Sequence, residues 1–233
     1  MMELDGSITH VTPAEARLRN ISYVAPIMME ASVVEDGKTL ETRFVHIGDM
    51  RSAKNGNKCV LSEYEEIAEI LKKSSVPTFI VPGDNEYNDC PNAREGLGFF
   101  RTAFGDLEKN WNASYQVHRD GVRPENFYFV HKLALYIGLN IVGGTVHNTT
   151  EWESRLSYQF EWVKGLIETF VIDNSNETKA GSVVIFGHAF PMDKHDAFFE
   201  PLEDYVTKDL KEKIPMLYVH GDRHYFAFNQ KFM

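Results

Sequence analysis

Four short apolar segments of this chain each end in a glycine followed by aspartate or histidine, and this repeated pattern constrains the fold most. The four pairs are Gly48-Asp49, Gly83-Asp84, Gly187-His188 and Gly221-Asp222. In a mostly parallel sheet the carboxyl ends of the strands lie along one edge, where ligands usually bind. Because glycine lets the chain turn sharply there, the next side chain can reach into the cleft. We therefore expect these carboxylates and this imidazole to meet.

Strand and helix spacings alternate along the rest of the chain. Apolar runs predict strands at residues 42–47, 76–82, 127–131, 133–142, 182–186 and 216–219. Helical spacing occurs at residues 60–73, 94–104, 151–171 and 199–210. Such alternation favours an α/β domain, or a layered αββα one. We expect a single domain over residues 1–233, in which residues 1–40 are irregular and do not supply a first strand.

Composition excludes several classes of protein. With 43% hydrophobic and 25% charged residues among 233, the chain is neither disordered nor a disulfide-stabilised mini-protein. Its 24 basic and 34 acidic residues give a net charge of −10, which argues against bulk nucleic-acid binding. No apolar run approaches the roughly 20 residues that a membrane span needs. The sequence carries no signal of oligomeric state.

The ordered motifs GD, GDNE, GHAFP and HGDRH resemble those of the calcineurin-like metallophosphoesterases, over residues 43–224. The similarity is strongest to a subgroup in which GDNE precedes an Asp-Cys pair. It implies a layered αββα sandwich with mixed sheets flanked by helices. The family's opening strand ends in Asp-x-His, whereas here Ile8 takes the place of the aspartate and His10 follows two residues on. Truncation at both ends and true loss of that strand are both open explanations.

The resemblance also implies roles for individual residues. The expected metal ligands, the first of them bridging two ions, are Asp49, Asp84, His188, Asp222 and His224. Asn85 stands where the family has a catalytic histidine, so Asn85 and Asp49 are the expected catalytic residues. Supporting positions around the ligands are Glu86, His220 and His10. The mixed nitrogen and oxygen ligands suit two divalent or trivalent ions of Fe, Mn or Zn.

The function implied by the resemblance is that of a hydrolase, a phosphatase with a dinuclear metal centre. A metal-bridging hydroxide would cleave phosphate monoesters or diesters, and the partner would be a small phosphorylated substrate. Asparagine cannot supply a proton at neutral pH, so the alternative is a catalytically degenerate relative that acts as a metal-binding or interaction module. A serine hydrolase ranks last because the chain has no Gly-x-Ser-x-Gly motif.

The two cysteines, Cys59 and Cys90, follow two of the glycine-centred motifs. If the preceding strands are neighbours, the cysteines come close enough for a disulfide, and two buried thiols are the alternative. A cysteine pair and four N-glycosylation sequons are compatible with a secreted or lumenal protein, but the N-terminus shows no signal peptide. Localisation therefore stays open.

Overall fold

A computed structural model describes residues 28–35, 38–51, 58–173, 179–211 and 213–223. These residues form a mixed α/β structure. The strands are β1 (Met28–Glu35), β2 (Lys38–Ile47), β3 (Thr78–Val81), β4 (His118–Arg119), β5 (Phe127–His131), β6 (Ala134–Gly138), β7 (Ser182–Phe186) and β8 (Met216–Val219). The helices are α1 (Leu61–Leu71), α2 (Ala93–Phe104), α3 (Thr149–Ile167) and α4 (Asp196–Asp204). Shorter π-helical turns include Asp84–Asn88, which follows β3.

The first sheet has the order β1-β2-β3, with β1 antiparallel and β3 parallel to β2. The expectation that residues 1–40 are irregular differs from the structure, because β1 and the start of β2 lie there. These two strands form a hairpin in which Glu35 is opposite Lys38. Cross-strand pairing, which periodicity does not reveal, accounts for the difference.

The second sheet has the order β4-β5-β6-β7-β8. Its first three strands are antiparallel to one another, whereas β6, β7 and β8 run parallel. Both sheets are therefore mixed. Strands β2 and β3 are parallel neighbours, so the motifs that follow them lie side by side in the first sheet. Strands β7 and β8 are also parallel neighbours, so the other two motifs lie side by side in the second sheet.

Three apolar clusters hold these elements together. Between the sheets, Val45, Ile47 and Phe79 pack with Phe127 and Phe129 of the second sheet. The opposite face of β3 presents Ile80 to the helices α1 and α2, as the two-residue period of a strand requires. Side chains of β6 and β7 pack on their other face against α3 and α4. Apolar side chains of both sheets and of all four helices thus take part in these clusters.

The helix α3 begins where Asn148 caps it, because the Asn148 side chain accepts a hydrogen bond of 3.0 Å from the backbone N–H of Glu151. Trp152, Leu156 and Val163 then form its buried face. The predicted helix over residues 151–171 corresponds to α3 and the π-helical turn that follows it. Within the described part of the chain, no helix has the length and apolar character to cross a membrane.

A buried histidine lies under α3. His195 has no exposed surface, and its ring stacks on Trp152 at 5.6 Å between ring centroids. Its Nε2 is 3.0 Å from the carbonyl oxygen of Val142, so the neutral ring donates a hydrogen bond there. Burial lowers the pKa of His195 from 6.5 to about 4, because the charged imidazolium would lose its hydration.

We expect this histidine to make stability depend on pH. The unfolded chain takes up a proton near pH 6.5, whereas folded His195 takes it up only near pH 4. This contribution is therefore complete above pH 6.5 and is lost as the pH falls toward 4, by about 3 kcal/mol in total. Urea unfolding of the wild type and of His195→Gln, which keeps a donor but does not titrate, measures it. If the free energy of unfolding changed equally with pH in the two proteins, the prediction would be contradicted.

Candidate metal site

Three potential metal ligands meet where β2, β3 and β7 end. Asp49, Asp84 and His188 each place one ligand atom within 4.8 Å of the other two. Nε2 of His188 lies 3.4 Å from Oδ1 of Asp49 and 3.4 Å from Oδ1 of Asp84. All three residues are largely or fully buried, at 8%, 9% and 1% exposure. Two carboxylates and one imidazole in this arrangement are able to hold a first-row divalent metal ion.

A hydrogen bond to the first sheet fixes the orientation of the His188 ring. Nδ1 of His188 donates to the carbonyl oxygen of Ile47 over 2.9 Å. Nε2 therefore faces the carboxylates, and among the described residues it has no hydrogen-bond partner. This is the usual arrangement of a metal-binding histidine, in which the second ring nitrogen is held by the protein.

Electrostatics within the cluster also favour a cation. Burial lowers the pKa of His188, but Asp84 and Asp49 outweigh this and raise it to about 10. Burial raises the pKa of Asp49 to about 7, because the charged carboxylate would lose its hydration. His188 opposes this rise, and the neighbouring Asp84 carboxylate adds to it. The metal-free cluster therefore retains protons, which a bound metal ion would displace.

Close backbone approaches explain two of the glycines in the motifs. Gly48 and Asp49 have φ angles of +74° and +56°, in the left-handed region. A Cβ added at Gly48 would lie 2.6 Å from Cα of Gly83 and 2.7 Å from Nδ1 of His188. A Cβ at Gly83 would lie 2.6 Å from Oδ1 of Asp49. No side chain fits at either position without displacing a ligand.

The structure places Asp222 beside this cluster. Its Oδ1 is 3.8 Å from Nε2 of His188, and its backbone N–H donates to the carbonyl oxygen of His188 over 3.0 Å. His220, two residues earlier, has its ring packed against Phe190 and Tyr218. His10 and His224, which were also expected near the metal, lie outside the described residues.

Asn85 and Glu86 have structural partners. The Asn85 side-chain amide donates to the carbonyl oxygen of Arg51 over 3.1 Å, and its backbone N–H lies 3.4 Å from Oδ1 of Asp49. Glu86 is completely buried, and its Oε1 accepts from the backbone N–H of Gly83 over 2.7 Å. Burial raises the pKa of Glu86 to about 8. Both side chains thus support the loops that carry the ligands.

Sequence reasoning missed two residues at this site. Arg51 donates to the carbonyl oxygens of Asn85 and Lys58, over 3.0 and 2.7 Å, and so joins two loops. Gly143 lies against Asp84 and Asp222, since an added Cβ would be 2.9 Å from a carboxylate oxygen of each. Arg51 lies two residues after the first motif, which is a weak signal, and Gly143 lies outside all four motifs.

Cys59 and Cys90 form a disulfide, with their Cα atoms 5.7 Å apart. Cys90 follows the π-helical turn Asp84–Asn88, and Cys59 precedes α1. The disulfide therefore links the chain just after the Asp84 turn to the Cys59 segment, which contacts the Asp49 loop through Arg51.

The ligand cluster predicts stabilisation by metal ions. At a free Mn²⁺ concentration 100 times the dissociation constant, the free energy of unfolding should rise by about 2.7 kcal/mol. Asp84→Asn and His188→Ala should abolish this gain, because each removes a ligand. Thermal unfolding with and without Mn²⁺ measures it, with Asp209→Asn, an exposed carboxylate far along the sequence, as matched control. An unchanged gain in both ligand variants would contradict the site.

The disulfide predicts a separate loss of stability on reduction. It closes a loop with a sequence separation of 31 residues, so its removal should lower the free energy of unfolding by about 3 to 4 kcal/mol. Urea unfolding of the oxidised wild type and of Cys59→Ser/Cys90→Ser measures the difference. A difference below about 0.5 kcal/mol would show that the cross-link does not constrain the unfolded chain.

Comparison with known proteins gives a limited but specific similarity. No family model matches the chain, and no solved structure matches it. The DNA-directed RNA polymerase subunit Rpo2N of Halobacterium salinarum is 39% identical over 90 residues, which cover 35% of this chain and 17% of that subunit. The subunit of the same name from Methanococcus vannielii is 37% identical over 68 residues, covering 28% and 14% respectively. The chain spans about a sixth of the length of these curated relatives.

These matches correct the identification made from short motifs. The chain was expected to resemble calcineurin-like metallophosphoesterases, but no family model matches and the similar proteins are RNA polymerase subunits. The predicted hydrolase and phosphatase activity is wrong on this ground, and the alternative of a degenerate relative is not supported either. The expected partners, a small phosphorylated substrate without nucleic acid, are likewise contradicted. Glycine-centred strand ends arise from backbone geometry, which unrelated functions can share.

Proposed function

We propose that this chain acts as a component of a DNA-directed RNA polymerase, which it joins through contacts with other polymerase subunits. The observation that carries the proposal is the 39% identity to Rpo2N over 90 residues. The similarity recurs at 37% identity in the subunit from a second archaeon. Because the matching segment is a small part of each relative, the proposal concerns assembly and assigns no polymerase chemistry to this chain.

The charge of the chain supports a protein partner as its main contact. A net charge of −10 disfavours close approach to the phosphates of nucleic acid over most of the surface. A metal ion held by Asp49, Asp84 and His188 would reverse the sign locally. We therefore propose contact with template or transcript near this cluster, together with contacts to other polymerase subunits.

We further propose that the cluster holds a metal ion within the assembly. Asp49, Asp84 and His188 are the ligands, and the mixed donor set suits Fe, Mn or Zn. Asp222, 3.8 Å from His188, is the additional carboxylate that a second ion would need. The ion would brace the ends of both sheets, since its ligands come from each.

We also propose that the chain forms one domain of four layers. In order, the layers are helices α1 and α2, the first sheet, the second sheet, and helices α3 and α4. The three apolar clusters, each joining two adjacent layers, support this order. The metal cluster then lies at the edge where the two inner layers meet.

Binding to a purified archaeal RNA polymerase tests the proposed function. The full oxidised chain is passed over immobilised polymerase prepared with and without its Rpo2N subunit. We expect saturable binding with a dissociation constant in the micromolar range or tighter. Binding should persist at 0.3 M NaCl, because subunit contacts rely on apolar burial more than on screened charge.

Two controls make this experiment decisive. An unrelated acidic protein of similar size and net charge should not bind, which excludes simple attraction to basic polymerase surfaces. Asp209→Asn should bind as the wild type does. Absence of saturable binding to both polymerase preparations would overturn the proposed assembly, whatever the outcome of the metal titration.

A further inference from the structure

We propose that the Cys59–Cys90 disulfide is a redox switch for the affinity of the metal site. In the oxidised chain the bond holds the loops of Asp49 and Asp84 in the geometry that binds the ion. Reduction of the disulfide lets these loops separate and weakens binding of the metal ion. The inference rests on the metal binding proposed above and adds its regulation by thiol chemistry.

The disulfide lies at the end of the turn that carries Asp84. The backbone N–H of Asp89 donates to the carbonyl oxygen of Asp84 over 2.8 Å. The backbone N–H of the next residue, Cys90, donates to the carbonyl oxygen of Tyr87 over 3.3 Å. A short hydrogen-bonded path therefore connects the position of Cys90 with the backbone of a metal ligand.

Arg51 makes the corresponding connection on the Asp49 side. It lies two residues after Asp49, and its guanidinium donates to the carbonyl oxygen of Lys58 over 2.7 Å and to Sγ of Cys59 over 3.2 Å. The same group donates to the carbonyl oxygen of Asn85 over 3.0 Å. Arg51 thus ties the Cys59 segment to both ligand loops, and its contacts with Lys58 and Cys59 depend on where Cys59 is held.

Packing leaves Cys90 little freedom to move when the bond is broken. A Cβ added at Gly96 would lie 2.5 Å from Sγ of Cys90, so helix α2 blocks one side. The Tyr64 hydroxyl lies 3.5 Å from the same sulfur and donates to the carbonyl oxygen of Glu86 over 2.6 Å. Two thiols need about 3.5–4.0 Å between sulfurs, against about 2.05 Å in a disulfide. Cys59 therefore moves, which disturbs the contacts of Arg51 with Lys58 and Cys59.

The chemistry of the switch is thiol–disulfide exchange with a dithiol. One thiolate of the dithiol attacks Sγ of Cys59, the less buried of the two residues, and Cys90 leaves as a thiolate that takes up a proton. The second thiol of the reagent then attacks its own sulfur in the mixed disulfide and releases Cys59, which is also protonated. Two electrons pass to the protein, and the dithiol becomes a cyclic disulfide.

Titration with Mn²⁺ alone tests the switch, because this hard ion has little affinity for the thiolates that reduction creates. The full chain is titrated oxidised, then after reduction by a dithiol and anaerobic removal of the reagent, and again after reoxidation. Thiol counting verifies each state, and circular dichroism verifies that the reduced chain is folded. We expect the dissociation constant to rise at least tenfold on reduction and to recover on reoxidation.

The double variant Cys59→Ser/Cys90→Ser should bind Mn²⁺ as weakly as the reduced wild type and should not respond to the dithiol. Dissociation constants within twofold in the oxidised and reduced wild type would overturn the switch while leaving the metal site intact. No Mn²⁺ binding by the oxidised chain would overturn both the switch and the proposed metal site. Because reversible reduction uses the wild-type sequence, the test does not depend on folding of the variant.

Discussion

The hydrogen bond from His188 to the carbonyl oxygen of Ile47 joins the two sheets at the edge where the ligand side chains meet. Its net contribution to stability is only about 1 kcal/mol, but it fixes the orientation of the His188 ring and so the direction in which Nε2 points. With Nδ1 held by the first sheet, Nε2 faces the carboxylates of Asp49, Asp84 and Asp222. The glycines at positions 48 and 83 are what allow the backbones to come close enough for this contact.

Much of the local structure could be predicted from the sequence. The strands at residues 127–131, 182–186 and 216–219 have the predicted bounds, since each is a continuous apolar run between turn residues. Three of the four glycine-centred motifs bring their ligand side chains together. These features depend on strand periodicity and on the turn at a strand end, both of which are local.

Strand pairing and the contacts between loops depend on segments that are distant in the chain, and periodicity does not encode such contacts. Strand β1 is defined by its pairing with β2, and the mixed character of both sheets follows from pairing directions. Arg51 and Gly143 acquire their roles only when loops from separate strands meet. The identification as a phosphoesterase failed for a related reason: short motifs describe how a strand ends, and the longer similarity to polymerase subunits contradicts the function that was inferred from them.

The separation of the ligands along the chain also has a consequence for how the protein is made. Ile47 and His188 are 141 residues apart, so their contact has a high loop-closure cost and forms after most local structure. During synthesis, the Asp49 and Asp84 loops leave the ribosome long before β7 exists. Until then the carboxylates of Asp49 and Asp84 lack the His188 imidazole, so this three-residue cluster is incomplete on the nascent chain.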